Sequence, residues 1–307
     1  MIRQLLIGFA VLCATSIASA QKTVSVSPEE SGADEVVMLW NNATAPHSNG
    51  ITEDEEIKRI DNKIDMYKTS QTDLYIYKAD PAKATGQGVL IVPGGGYRKL
   101  SMKFDGFMVA QYLRSIGVSS VVVKYRMPNS HREVPFEDTQ EALRYLRREG
   151  VKWGVDPAQV GILGSSAGGY LAAHISTCIA DEEKPAFSIL IYPVITGEWA
   201  SHRGTFANML GKHRTSVEHE YYSLENRVTP TTPPTLLLLA DDDLSVPTIS
   251  GIRYYKALKY YGIPAALHIF PSGGHGWAGH DEYRYAEPSK RAIKDWLELQ
   301  QSAQKRE

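Results

Sequence analysis

Cysteine is almost missing from this chain: among 307 residues only Cys13 and Cys178 carry a thiol. Cys13 falls in the apolar opening segment, so removal of that segment would leave one thiol and no internal disulfide. Cys178 stands near Ala172, Ala173 and Ile175 in a helical pattern, where it reads as a small core side chain and not as a nucleophile. An excess of one charge is lacking too. With 33 Lys and Arg against 35 Asp and Glu, the formal net charge is -2, which gives no whole-protein field for nucleic acid or an anionic membrane. A small or neutral substrate fits this balance better. The chain has no H-E-x-x-H, no paired Cys/His spacing, no G-K-[ST] and no dinucleotide pattern, so its nine histidines suggest no metal site and no cofactor is expected. After the opening segment no run is apolar enough to span a bilayer, and no internal repeat or low-complexity tract is visible.

What is present begins with residues 1–20. Arg3, an apolar run over 5–12 and the small residues Ala18-Ser19-Ala20 before Gln21 have the order of a cleaved export signal. The apolar run is shorter than the roughly 20 residues a membrane helix needs, so export to the periplasm or the medium is expected, not anchoring. Residues 21–70 are polar and acidic without sustained periodicity and read as a leader packed on the domain. The catalytic domain is expected over 71–307. There, short β-rich runs at 74–77, 89–92, 118–124, 160–163, 188–192, 236–239 and 266–270 alternate with helical patterns at 106–116, 136–148, 169–179, 252–261 and 289–299. Such alternation predicts an α/β fold, a mostly parallel central sheet with helices on both faces. Unbroken apolar runs such as Val121-Val122-Val123 are what strands buried on both sides require. The stretch 196–234 has little pattern and reads as an insertion over the strand ends.

Within this frame Gly164-Ser165-Ser166-Ala167-Gly168 matches G-x-S-x-G, after a strand pattern and before a small-residue helix start. A serine nucleophile needs that arrangement. The tight turn lifts Ser166 clear of its neighbours and aims the helix N-terminus at the reacting oxygen. Pro93-Gly94-Gly95-Gly96-Tyr97 follows the 89–92 strand, so Gly95 or Gly96, together with the amide of Ala167, can supply an oxyanion hole. The 236–239 strand runs into Asp241-Asp242-Asp243, and an acid at that point can orient a catalytic histidine. The residues alone leave the three aspartates undecided. His275, in Gly273-Gly274-His275-Gly276 after the last strand, is the candidate base; His268 reads as a packed strand residue and His280 lacks glycine support.

Val92-Pro93-Gly94-Gly95-Gly96-Tyr97, Lys124-Tyr125-Arg126-Met127-Pro128-Asn129, 164–169, Val246-Pro247 and Gly274-His275-Gly276 occur together, and the set resembles the acetyl xylan esterase-like branch of bacterial α/β-hydrolases, which includes feruloyl esterases. The resemblance runs from about 36–40 to the C-terminal helix. It implies the α/β-hydrolase fold, a Ser-His-Asp acyl-enzyme mechanism and an acylated plant cell-wall polysaccharide as substrate. The branch places its acid four residues before the proline of the Val-Pro turn, which is Asp243 here. One departure is Phe104-Asp105-Gly106 where many relatives carry His-Glu-Gly. Tyr97, Trp199 and Trp277 are candidates to stack on sugar rings, and Arg126, His202 and Arg203 to bind hydroxyls. Packing is the competing role for each. Two other functions fit the sequence less well: a prolyl-oligopeptidase-like exopeptidase, which would need an added domain that a leader of this size cannot supply, and a carbohydrate-binding protein that has lost catalysis.

Overall fold

The computed structural model describes residues 21–198 and 202–304; the expected export signal and Trp199 lie outside them. In chain order the strands are β1 (Glu35–Asn41), β2 (Glu56–Ile60), β3 (Lys63–Tyr67), β4 (Gln71–Tyr77), β5 (Gly88–Val92), β6 (Lys99–Ser101), β7 (Ser119–Lys124), β8 (Val160–Ser165), β9 (Ser188–Ile191), β10 (Thr235–Ala240) and β11 (Ala265–Phe270). The helices are α1 (Pro28–Ser31), α2 (Val109–Ser115), α3 (Glu133–Glu149), α4 (Ser166–Cys178), α5 (Arg203–Leu210), α6 (Ser216–Tyr221), α7 (Ile249–Tyr260) and α8 (Ala286–Gln304).

Eight strands form one sheet in the order β1-β4-β7-β5-β8-β9-β10-β11. The pairs from β7 to β11 are parallel, while β1 and β4 join antiparallel at one edge. Every residue of β5, β7, β8, β9 and β10 is buried, which is why these strands read as unbroken apolar runs. Helices cover both faces. A β-carbon on Gly88 would meet Leu146 of α3, whereas one on Gly106, just before α2, would meet Val122 of β7. Gly88 pairs with Ser119, and three residues further along a pleat of period two Val122 points the other way. The expected seven strands and five helices are all observed, and α5 and α6 occupy the patternless insertion.

The leader is more than a wrapping. Residues 35–41 add the edge strand β1, and residues 56–67 form a hairpin that joins β6 in a three-stranded sheet, β2-β3-β6. Its turn places Asp61 and Asn62 at φ 50° and 60°, the left-handed pair that a tight hairpin needs. The leader is also fixed to the domain by charge. Glu55, 4% exposed, accepts the amides of Val24, Ser70 and Gln71 and pairs at 2.6 Å with Lys124, which also holds Asp73 at 3.0 Å. Among the described residues no helix is long and apolar enough to cross a membrane.

Candidate active site

Strand β8 ends at Ser165, and the chain turns at once into α4 with Ser166 as its first residue. Ser166 takes φ 54°, a left-handed conformation that costs a non-glycine residue about 1–2 kcal/mol. The turn is possible because its flanks lack side chains. A β-carbon on Gly164 would lie 2.3 Å from the Gly168 carbonyl oxygen, and one on Gly168 would lie 2.0 Å from that of Val92. Helix α4 therefore packs directly on β5, beside the loop that carries Gly94, Gly95 and Gly96.

The structure brings Ser166, His275 and Asp243 into one hydrogen-bonded chain. Ser166 Oγ lies 2.8 Å from His275 Nε2, and His275 Nδ1 lies 2.6 Å from Asp243 Oδ2. A carboxylate can only accept, so Nδ1 carries the ring proton and Nε2 is free to receive one from the serine. Asp243, 5% exposed, has its other oxygen engaged by the amides of Ser245 and Val246, each at 2.9 Å. The three neighbouring aspartates divide their work. Asp242 accepts the amides of Gly273 (3.2 Å) and Gly274 (2.7 Å), which holds its carboxyl below the usual range and fastens the histidine loop. Asp241 is exposed, and its backbone amide bonds Phe270.

Ser166 and His275 open into a cavity of about 650 Å³, within the range of small-molecule sites, and Gly95, Gly96 and His202 line it with them. Gly95 accepts the amides of Arg98 and Lys99, and the Gly96 carbonyl accepts Asn208 Nδ2 at 2.8 Å, so the loop is held from both sides. Ala167 is buried at the first turn of α4. His202 caps α5 through Thr205; burial, more than the neighbouring His275, lowers its pKa, which favours the neutral ring whose Nδ1 accepts the Thr205 amide.

Other candidates are elsewhere. Arg126 is fully buried, spending its guanidinium on Asp138, Glu137, Asn42 and the His47 carbonyl, and so serves the core and not a sugar. Tyr97 is 2% exposed and packs edge-on against Tyr125. Trp277, 5% exposed, stacks on Tyr283 and abuts Tyr192 and Phe270. Neither aromatic face is open to a sugar ring, because glycine-rich turns here tuck their large neighbours inward. Arg203 is exposed beside a separate depression with Arg214 and Glu220. His268 is exposed on the edge strand β11, not packed, and Cys178 is half-buried against the core at the end of α4.

Several site residues escaped the sequence reading. Asp105 lies in a π-helical turn (Lys103–Met108), a distortion frequent at functional sites, and is buried under the glycine loop. Its carboxylate accepts the Gly94 amide at 3.0 Å and the Tyr192 hydroxyl at 3.4 Å; burial raises its pKa against these bonds. Tyr192, at φ 36°, lays its ring 4.5 Å from that of His275, and its hydroxyl accepts the Ala278 amide. One carboxylate thus ties the glycine loop to the residue that backs the histidine. His280 stacks on Phe104 at 3.5 Å between ring centroids, and both line the cavity. The departure at Phe104-Asp105 was the one signal pointing to this cluster. Among the described residues no group of His, Cys, Asp or Glu could hold a metal ion.

A family model described as the alpha/beta hydrolase fold matches residues 89–279. An acetylxylan esterase of Xylanibacter ruminicola is 37% identical over 222 residues, which are 71% of this chain and 46% of that protein. Endo-1,4-beta-xylanase B of Butyrivibrio fibrisolvens is 29% identical over 64% of this chain and 33% of its own length. The chain therefore spans less than half of these curated relatives. The crystal structure of an acetyl ester-xyloside bifunctional hydrolase from Caldicellulosiruptor lactoaceticus superposes with a TM-score of 0.67 at 32% identity, covering 75% of this chain and 88% of that one.

Proposed function

Because the chain belongs to the α/β-hydrolase fold family, as an acetyl xylan esterase-like member, we propose that it is an exported serine esterase that removes acyl groups, acetyl foremost, from plant cell-wall polysaccharides such as xylan. The observation that carries the chemistry is the Ser166–His275–Asp243 chain at the base of the cavity. His275 Nε2 takes the hydroxyl proton as Ser166 Oγ bonds to the acyl carbon, and the carbonyl oxygen gains negative charge facing the amides of Ala167 and of Gly95 or Gly96. The imidazolium, stabilised by Asp243, then gives its proton to the departing sugar oxygen as the C–O bond breaks. Water, deprotonated by His275, cleaves the Ser166 ester and releases the acid. No step calls for a cofactor. The polysaccharide substrate is supported by the names of the two xylan-acting relatives and by a cavity open enough for a sugar. Export rests on the residue order of 1–20.

The test is acetate release from acetylated xylan by protein beginning at Gln21. Release by the parent and a loss of about 10⁴-fold or more in Ser166→Ala is the expected result. Cleavage of a small activated acetate without release from xylan would reject the polysaccharide, and equal activity of parent and variant would reject the nucleophile. Mass measurement of the protein recovered outside the cytoplasm, expected to begin at Gln21, checks export.

A further inference from the structure

The three-stranded sheet is a wall of the catalytic cavity, and its two faces differ sharply. Ile64, Met66 and Leu100 are buried against the core. The alternate positions Lys63, Lys99 and Ser101 line the cavity, together with Arg98 from the turn that enters β6. Lys99 is neutralised by Asp65, its neighbour on this sheet. Lys63 and Arg98 are exposed, and their side chains have no hydrogen bond or ion pair among the described residues. Lys63 lines the same cavity as His280, whose pKa burial and then the Lys63 charge lower.

No carboxylate in the cavity answers these two cations. Asp105 lies beneath the glycine loop, engaged by Gly94 and Tyr192. Asp243 is consumed by His275 and two amides. Near His280, Asp281 is paired with Lys290, and Glu282 does not line the cavity. In a protein of net charge -2 this is a local positive wall facing the nucleophile, in a concavity that concentrates its field. A neutral sugar polymer offers these donors hydroxyl acceptors but no countercharge.

We propose that Lys63 and Arg98 bind the carboxylate of a uronate residue flanking the esterified sugar, so that the preferred substrates are acidic acylated polysaccharides. The proposal rests on the carbohydrate-esterase reading and adds the charge of the substrate to it. The leader hairpin, remote in sequence from Ser166, is then a specificity element.

The experiment compares kcat/KM for deacetylation of two acetylated xylo-oligosaccharide pools, one bearing uronate side groups and one neutral, with an activated acetate ester as a third substrate. The expected parent preference for the acidic pool is roughly fivefold, the size of two partly exposed ion pairs. Raising the ionic strength is expected to shrink it. In Lys63→Gln/Arg98→Gln the ratio should fall to about one, and in Lys63→Glu/Arg98→Glu it should invert, because like charges would then meet. The ratio is the readout, so a general loss of folded enzyme does not mimic the effect. A parent ratio near one, or a ratio unchanged in both double variants, overturns the proposal. Release from neither pool with the activated ester still cleaved fails the carbohydrate reading itself, and is distinguishable from a parent that deacetylates both pools equally.

Discussion

At the scale of single residues, Ser166 is held in a conformation that suits its chemistry at some cost to stability. Its φ of 54° is unfavourable for any residue with a β-carbon and free for glycine. Ser166→Gly is therefore expected to be more stable than Ser166→Ala by about 1 kcal/mol, with both inactive, as urea unfolding would measure. A glycine variant no more stable than the alanine variant would show that the elbow is unstrained. Ser166 and His275 were legible because glycines marked their turns, and Asp243 through the Val-Pro turn. Tyr192 was not, for it acts through neighbours distant in sequence and no local pattern marks it, and Asp105 showed only as part of a departure from the motif of its relatives. Arg126 and Tyr97 misled for a related reason: a polar or aromatic side chain in a loop resembles a ligand-binding one until its burial is known.

At the scale of elements, the five central strands β5, β7, β8, β9 and β10 announced themselves because burial on both faces demands continuous apolar runs, while β4 and the half-exposed edge strand β11 showed as shorter β-rich runs. The four that were missed share the opposite condition. Strand β1 lies on an edge and is largely half-exposed, β2 carries Lys58 and Arg59, β3 has one buried apolar stripe and β6 spans three residues. Strand pairing and buried apolar side chains join these leader elements to the domain, and an ion pair adds to them. Glu55→Gln leaves Lys124 paired with Asp73 but weakens the bonds to three backbone amides, so it is expected to destabilise the protein by about 1–3 kcal/mol. Chemical denaturation checks this. A loss below about 1 kcal/mol would mean that water reaches Lys124 in the variant.

For the whole molecule, the near balance of charge leaves its acid stability to particular buried groups. His174, on α4, stacks on Phe136 at 3.8 Å between centroids, and its Nδ1 has no partner. Burial, with Arg227 adding to it, lowers its pKa to about 3. The folded protein therefore keeps this ring neutral while the unfolded chain protonates it below about pH 6.5, so stability is full above that pH and declines as the pH falls toward 3. Between pH 7 and pH 5 the parent should lose about 1–2 kcal/mol more than His174→Gln, read from denaturation midpoints at each pH. Parallel losses in the two proteins would remove His174 as the cause.

The buried Glu55–Lys124 pair spans 69 residues of sequence, and β3 meets β6 only after the glycine loop has been made. A nascent chain emerging N-terminus first offers its acidic leader long before either partner exists. Until then the acidic run Glu53-Asp54-Glu55-Glu56 lacks its buried cation, and unpaired carboxylates are costly to take out of water. The carboxylate that closes the interior thus waits on a cation made after it, and the leader hairpin completes the cavity wall only once β6 is present. Assembly of the cavity is in this sense a retrograde event, timed by the arrival of β6 and Lys124.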